Sequence, residues 1–141
     1  MKMFLLTLWS FCSLNLVAQK SDTVIRYFNA SFLPVPKTAA TYLGMAYPEN
    51  SKWGVVVVKE NKKTLMTGNY KDKSLKIRDG LFTFFYPNGN PQMRGIYVNN
   101  AEDDIWLSWY PGGERKDSII YKKGFKLGAA AAWFENGNPK Y

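Results

Sequence analysis

The sequence predicts an all-β fold: an antiparallel meander of repeated β-hairpins in a strongly twisted sheet. Three glycines, Gly89, Gly113 and Gly137, are separated by 24 residues and then by 24 again. Each lies in a similar segment of aromatic and turn-forming residues: FFYPNGNPQ, SWYPGGERK and AWFENGNPK. Aromatic residues make up 16% of the chain, which favours strands over helices. A fixed period of this length is typical of a stacked repeat.

Residues 1–19 have the pattern of a secretory signal peptide. Lys2 provides a positive start, and a mostly apolar run from Phe4 to Val17 ends before Gln19. The run is short for a membrane span, and a buried N-terminal strand or helix is the alternative. Cys12 follows an aromatic residue, whereas a lipoprotein signal needs a small residue there, so we expect Cys12 to be removed. The mature chain would then be periplasmic or secreted, without a disulfide and without a transmembrane span.

The signal-peptide prediction can be tested by sequencing the N-terminus of protein purified from its native cells. We expect a mature chain that begins close to Gln19, because the small and polar residues that end the apolar run are typical of a cleavage site. A mature chain that still begins at Met1 would contradict export.

Two weaker regions precede the clear repeats. Residues 20–52 contain short apolar runs interrupted by prolines, which predicts an N-terminal extended or edge segment. Residues 53–78 resemble a degenerate copy, with strands at Val55–Lys59 and Thr64–Tyr70 and with Asn61 near the turn position.

The clear copies are residues 79–102, 103–126 and 127–141, and each predicts one hairpin. Pro87 presets the first turn position and Gly89 can adopt a positive φ, which predicts a type I turn followed by a left-handed glycine. Turns at residues 99–100 and 123–124 would join successive hairpins. A lone hairpin is marginal in water, so we expect the copies to pair edge to edge.

Both faces of the predicted strands carry large apolar side chains. Phe82 and Phe84 alternate with Leu81 and Phe85, so each face receives two of them. A single solvated layer would leave one set exposed to water. Either the sheet curls over itself, or residues 20–52 cover one face, or a partner does.

Composition excludes most site chemistry. The chain has no histidine and one cysteine, which removes most metal sites and nucleophilic triads. The acidic run from Glu102 to Asp104 lacks calcium-loop spacing and is predicted to be a solvated turn. The net charge is +8, but the basic residues are dispersed and no nucleic-acid-binding motif occurs. We therefore expect no catalytic residues, cofactor, bound metal or nucleic acid.

Aromatic side chains at equivalent positions of the copies are the remaining candidates for function. Cross-strand packing in the core is one interpretation, and a groove or edge that holds a peptide or glycan is the other. The third copy stops soon after its turn, so its first strand is predicted to be an uncovered edge open to self-association or to a partner's strand. The candidate partner-binding residues are Phe85, Tyr86, Trp106, Trp109, Tyr110, Trp133 and Phe134.

The repeated aromatic and turn-forming segments resemble the MORN-repeat-variant family over about residues 79–141. The resemblance extends loosely back to Trp53. The family pattern runs from a glycine through tryptophan and paired tyrosines to Asn-Gly, then a basic strand, a tyrosine and a closing glycine. Some members are antitoxin-like proteins of the YwqK type, and others resemble the periplasmic repeat region of TonB-type energy transducers. Asn100 and Asp104 replace pattern glycines, and Ala130 replaces an expected tryptophan. The pattern is otherwise matched at Gly80, Phe82, Phe85, Tyr86, Asn88, Gly89, Tyr97, Trp106, Trp109, Tyr110, Gly113, Tyr121, Gly124, Gly128, Trp133, Phe134, Asn136 and Gly137.

Taken together, the residues and the resemblance favour a non-enzymatic exported repeat module that binds a protein, a peptide or an envelope glycan. The alternative is an antitoxin-like or immunity-like inhibitor of a partner protein. A genomic neighbour that encodes a toxin or a transporter would separate the two.

Overall fold

The all-β prediction is confirmed. The computed structural model describes residues 22–60 and 62–140, so the predicted signal peptide, with Cys12, lies outside the described residues. Within them, nine strands form one antiparallel sheet in sequence order, with β1 at one edge and β9 at the other. The strands are β1 (Val24–Phe28), β2 (Tyr42–Glu49), β3 (Lys52–Val58), β4 (Thr64–Tyr70), β5 (Arg78–Phe85), β6 (Pro91–Val98), β7 (Ala101–Trp109), β8 (Arg115–Lys122) and β9 (Phe125–Ala132), and a short 3-10 helix, Lys37–Ala39, precedes β2.

The predicted hairpin turn is confirmed in all three clear copies. In the first, the Gly89 amide donates to the Tyr86 carbonyl and the Tyr86 amide donates to the Asn90 carbonyl, each at 2.9 Å. Both bonds recur at the other two turns. Gly89, Gly113 and Gly137 have φ angles of 98°, 107° and 83°. An L side chain adopts such angles only with strain, so glycine is the residue that this turn requires.

The same turn occurs twice more, without glycine. Phe32 and Lys62 hold the glycine position with φ angles of 57° and 62°. Their amides donate to the carbonyls of Asn29 (3.0 Å) and Lys59 (2.8 Å), as the glycine amides do. The sequence placed this position near Asn61, which lies outside the described residues, and Lys62 has the left-handed conformation instead. The hairpin motif therefore begins already between β1 and β2.

Phe32 shows how a bulky residue is held in a strained conformation. Its ring stacks on Tyr42 with centroids 5.4 Å apart and contacts Phe84 of β5 at 5.6 Å. Backbone strain of this kind persists only where the surrounding packing enforces it. The contact also lays the β1–β2 loop across the sheet, so residues from the 20–52 segment cover part of one face.

An aromatic row forms the centre of that face, which we call the core face. One ring from each of five consecutive strands packs edge to face with the next. The row consists of Tyr70, Phe82, Tyr97, Trp106 and Tyr121, with successive centroid distances of 5.4, 5.1, 4.9 and 6.4 Å.

Glycines on neighbouring strands make room for two of these rings. A Cβ atom at Gly68 would lie 2.3 Å from the Phe82 ring, and one at Gly95 would lie 2.1 Å from the Trp106 ring. Real Cβ contacts are never this short, so each ring can lie flat only over a residue without a side chain. Phe82 and Trp106 are one repeat apart, and in both cases a glycine on a neighbouring strand makes room for the ring.

The other face, which we call the outer face, is apolar and half exposed. Leu81 pairs with Ile96 across β5 and β6, and Ile105 pairs with Ile120 across β7 and β8. These four side chains are between 37% and 49% exposed. The alternation predicted from the sequence therefore separates a packed face from an apolar face that nothing among the described residues fully covers.

Two adjacent glycines give a direct test of the hairpin turn. Gly113 has a φ of 107°, whereas the backbone of Gly112 does not have a positive φ, and its Cβ would meet only the flexible end of Glu114. Gly113→Ala should therefore lower the free energy of unfolding by about 1–3 kcal/mol. Gly112→Ala should leave it unchanged or raise it slightly, because alanine restricts the unfolded chain. Equal losses in urea denaturation would contradict the turn assignment.

Candidate functional site

Six of the seven predicted partner-binding residues lie together at the end of the sheet where the hairpins turn. Trp106 does not: it is 4% exposed in the aromatic row of the core face, where no partner can reach most of its ring. Its equivalent in the first copy is Phe82, which also lies in that row. The six residues, which we call the aromatic ladder, are Phe85, Tyr86, Trp109, Tyr110, Trp133 and Phe134.

The ladder residues lie where the two strands of each hairpin pair next to the turn. Phe85 pairs with Pro91 and Trp109 pairs with Arg115, while Trp133 forms a bridge with Pro139. Five ladder side chains are half buried, and Phe134 is 52% exposed. The repeat therefore places equivalent rings on alternate strands, with the most exposed ring in the last copy.

Two ladder tyrosines hold one copy to the next. The Tyr86 hydroxyl donates to the Trp109 carbonyl at 2.9 Å, and the Tyr110 hydroxyl donates to the Trp133 carbonyl at 3.0 Å. Phe134 holds the equivalent position of the third copy and has no hydroxyl. Both tyrosine hydroxyls therefore serve the packing of the repeat, as the core interpretation of the ladder predicted.

Side-chain amides join the turns in the same way. Asn88 and Asn90 donate to the Pro111 carbonyl of the next turn at 2.7 and 2.9 Å. In the first copy, the backbone N–H of Asn90 also donates to the side-chain oxygen of Asn88 at 3.0 Å. The third copy has the same bond, from the backbone N–H of Asn138 to the side-chain oxygen of Asn136, again at 3.0 Å. Among the described residues, no carbonyl accepts from the side-chain nitrogens of Asn136 and Asn138 as the Pro111 carbonyl does from those of Asn88 and Asn90. The third turn thus keeps the donors that hold a following turn.

Cations lie over the ladder rings of the second and third copies. Cation–π contacts at exposed sites contribute about 0.5–1 kcal/mol each, and here they also place positive charge beside the last hairpin. The sequence did not identify these cations, because their positions follow from the strand register. The contacts are Arg115 over Trp133 (5.7 Å), Lys116 over Tyr110 (5.9 Å) and Lys140 over Phe134 (5.1 Å).

The strand β9 is a sheet edge, as the sequence predicted for the first strand of the third copy. It pairs with β8, and on its other side the described residues contribute only the Trp133–Pro139 bridge and a 2.8 Å bond from the Lys140 amide to the Ala132 carbonyl. Phe125 is 75% exposed, which makes it the most exposed of the large apolar side chains described. The sequence analysis did not identify that ring.

The acidic run lies in strand β7, not in the turn that the sequence predicted, and it has a structural role. The Asp103 carboxylate accepts hydrogen bonds from the Lys122 side chain at 3.1 Å and from the Asp104 amide at 2.9 Å. The bond from Lys122 is the main reason that the pKa of Asp103 is lowered. In residues 22–60 and 62–140, no cluster of three or more carboxylate, cysteine or histidine side chains is placed to hold a metal ion.

Comparisons with known proteins do not extend these observations. No helix in the described part of the chain is long and apolar enough to cross a membrane. No protein-family model matches the chain, and no characterised protein or solved structure matches it either. The resemblance to MORN-repeat-variant proteins therefore stays a prediction, and function has to be argued from the geometry of the sheet.

Proposed function

We propose that this chain is a non-enzymatic, exported binding module that pairs an extended segment of a partner protein with strand β9. One observation carries the proposal. The third copy keeps the turn donors Asn136 and Asn138, whose equivalents hold the next hairpin elsewhere, while no strand among the described residues pairs along the outer side of Phe125–Ala132.

The chemistry of an edge strand supports this role. Unpaired N–H and C=O groups along β9 can hydrogen-bond an added strand, which is a common mode of peptide recognition. Phe125 and Leu127, 75% and 67% exposed, would add apolar contact with the new strand. Lys126 and Lys140 favour a partner segment that carries acidic residues.

The other partner classes fit the same surface less closely. A glycan would have to stack on ladder rings that are mostly half buried and already in contact with cations. Inhibition of a partner enzyme, the immunity-like alternative, would use the same edge and differ only in what the partner does. Self-association would place the edge of a second copy against β9.

A peptide from the chain itself provides a matched ligand for the test. Residues 91–98 form β6 and follow an Asn-Gly-Asn sequence at 88–90, which recurs at 136–138. A fluorescent peptide of residues 91–98 should therefore bind the protein saturably, and fluorescence anisotropy would measure the affinity. Ala130→Pro should weaken binding at least tenfold, because proline removes a backbone N–H donor from β9.

A substitution at Ala130 should leave the pairing of β9 with β8 intact. Ala129 pairs with Ile119 and Ala131 pairs with Ser118, so Ala130 is the extra residue of a bulge and has no partner on β8. Ala130→Lys is a second variant that places a charge at the edge without removing the donor. Ile105→Lys, on the interior strand β7, is the control and should not change affinity. Equal peptide affinity for folded Ala130→Pro protein, or no saturable binding to the unchanged protein, would contradict the proposal.

A further inference from the structure

A cleft of about 340 Å³ lies at the connection between β4 and β5, in the N-terminal half of the sheet. One part of its lining is apolar, from Leu33 of the β1–β2 loop and Leu75 of the connection. The other part is polar or basic, from Tyr70, Lys76 and Arg78. A cleft of this volume is large enough for a small organic ligand. It does not include β9 or the aromatic ladder, so it is independent of the proposed partner edge.

Arg78 is fixed in this cleft by aromatic side chains. One guanidinium nitrogen donates to the Tyr97 hydroxyl at 3.3 Å. The guanidinium carbon lies 5.0 Å from the centre of the Tyr97 ring and 5.6 Å from that of Phe82. In the described residues, no carboxylate forms an ion pair with Arg78. Its charge is therefore held in one position while most of its N–H donors have no acidic acceptor.

Tyr70 supplies a second unused polar group. Its side chain is 1% exposed, and its hydroxyl makes no hydrogen bond of normal geometry within the described part of the chain. Burial raises the pKa of this hydroxyl, while the nearby charge of Arg78 opposes the shift. The hydroxyl is thus a neutral donor next to a fixed cation, and buried polar groups without a partner often mark a ligand or water site.

Asp72 and Asp79, the carboxylates of the same segment, are not part of the cleft lining. Asp79 forms an ion pair with Lys52, and Asp72 accepts a hydrogen bond from the Ser74 amide at 2.8 Å. Lys76 has no ion-pair partner among the described residues. The cleft lining therefore contains two cations, Lys76 and Arg78, and no carboxylate.

Asn100 holds the backbones of Lys76 and Arg78 in place. Its side-chain oxygen accepts from the Arg78 amide at 2.7 Å, and its side-chain nitrogen donates to the Lys76 carbonyl at 3.1 Å. Asn100 belongs to the β6–β7 turn, so the repeat itself braces this connection. Arg78, whose backbone is held by Asn100 and whose guanidinium lies on Tyr97, is therefore preorganised for an anion, because its side chain loses little entropy when the anion binds.

We propose that this cleft binds a small carboxylate whose other end is apolar. The carboxylate would accept hydrogen bonds from Arg78, Lys76 and the Tyr70 hydroxyl. The apolar part would lie against Leu33, which is 48% exposed, and Leu75. The guanidinium plane can engage both carboxylate oxygens, which a single ammonium group cannot do.

N-acetyl-leucine is a suitable probe, and N-acetyl-leucinamide is its uncharged control. In ¹⁵N-detected NMR titrations at constant ionic strength, N-acetyl-leucine should shift the Arg78 side-chain signal saturably, and the amide should not. Arg78→Gln should weaken binding at least tenfold. Arg94→Gln, at an exposed arginine of β6, is the matched control for loss of one positive charge and should leave affinity unchanged.

Tyr70→Phe separates a binding role from a structural one. Because the hydroxyl is buried without a normal hydrogen bond, its removal should not lower the melting temperature, yet it should weaken N-acetyl-leucine binding several-fold. Unchanged affinity in folded Arg78→Gln protein, or an equal response to N-acetyl-leucinamide, would overturn the carboxylate site. Glucuronate that binds as tightly as N-acetyl-leucine would overturn the apolar half of the proposal.

Discussion

Phe82→Ala should reduce the free energy of unfolding by about 3–5 kcal/mol, the usual loss for a fully buried phenylalanine. Phe82 is completely buried, and its ring contacts Tyr70, Phe84 and Tyr97 from three strands. Gly68 lies directly beneath the ring, so no neighbouring side chain is present on that side to fill the cavity. Urea denaturation followed by far-ultraviolet circular dichroism would measure the loss.

Leu81→Ala is the matched control for that substitution. Leu81 is adjacent in the chain but lies on the outer face, where it is 39% exposed. Its replacement should lower stability by about 1 kcal/mol or less, because little buried area and no closed cavity are involved. Losses of similar size for Leu81→Ala and Phe82→Ala would contradict the assignment of the two faces.

Gly95→Ala should have the next largest effect, a loss of about 1–3 kcal/mol or more, as expected for overpacking of a well-packed core. The new Cβ atom would lie 2.1 Å from the Trp106 ring, which has to move away. That movement would break the bond from the indole nitrogen to the Ile96 carbonyl, now 3.2 Å long, and the edge-to-face contact with Tyr97. Tryptophan fluorescence and thermal melting would report both changes.

A double variant shows whether Trp106 is the cause of that loss. In Trp106→Leu protein the ring is absent, so the further change Gly95→Ala should cost much less than it does in the unchanged chain. Residues in direct contact show coupling energies of about 0.5–3 kcal/mol in such cycles. Additive losses would mean that Gly95 is required for another reason.

The repeat period predicted most of the fold, and its exceptions have physical causes. Three turns were visible because glycine marks a left-handed position that other residues rarely adopt. The turn between β1 and β2 was not predicted, because Phe32 holds the glycine position, and the turn between β3 and β4 was predicted near Asn61, one residue before Lys62. In the case of Phe32, packing on Tyr42 and Phe84 maintains a conformation that local sequence rules disfavour. Tertiary contacts of this kind cannot be seen in the local pattern.

The candidate site was predicted in part, for a similar reason. Periodicity predicted that equivalent rings of the copies line up across the sheet, but the candidate residues also included Trp106, which lies on the core face. The bulge near Asp104 decides which face each later residue of β7 occupies. The cleft at Arg78 was not predicted at all, because its lining combines strand residues with side chains of the β1–β2 loop and the β4–β5 connection, which tertiary packing brings together.

The third copy differs from the others in what it leaves unpaired. Tyr86 and Tyr110 each reach the following copy, whereas Phe134 has no hydroxyl and is exposed. Asn136 and Asn138 nevertheless keep the turn geometry that accompanies contact with a following turn. The last hairpin is therefore suited to accept a strand through its backbone and its amides, and this is the central claim of the proposed function.

Hydrogen exchange along β9 tests that claim most directly. The account predicts that amides of Phe125–Ala132 exchange faster than those of the interior strand β5, because one side of β9 lacks a partner strand. Addition of the peptide of residues 91–98 should slow exchange in β9 and leave β5 unchanged. Slow exchange in β9 without the peptide, with no further protection on its addition, would show that this edge is already paired and would contradict the account.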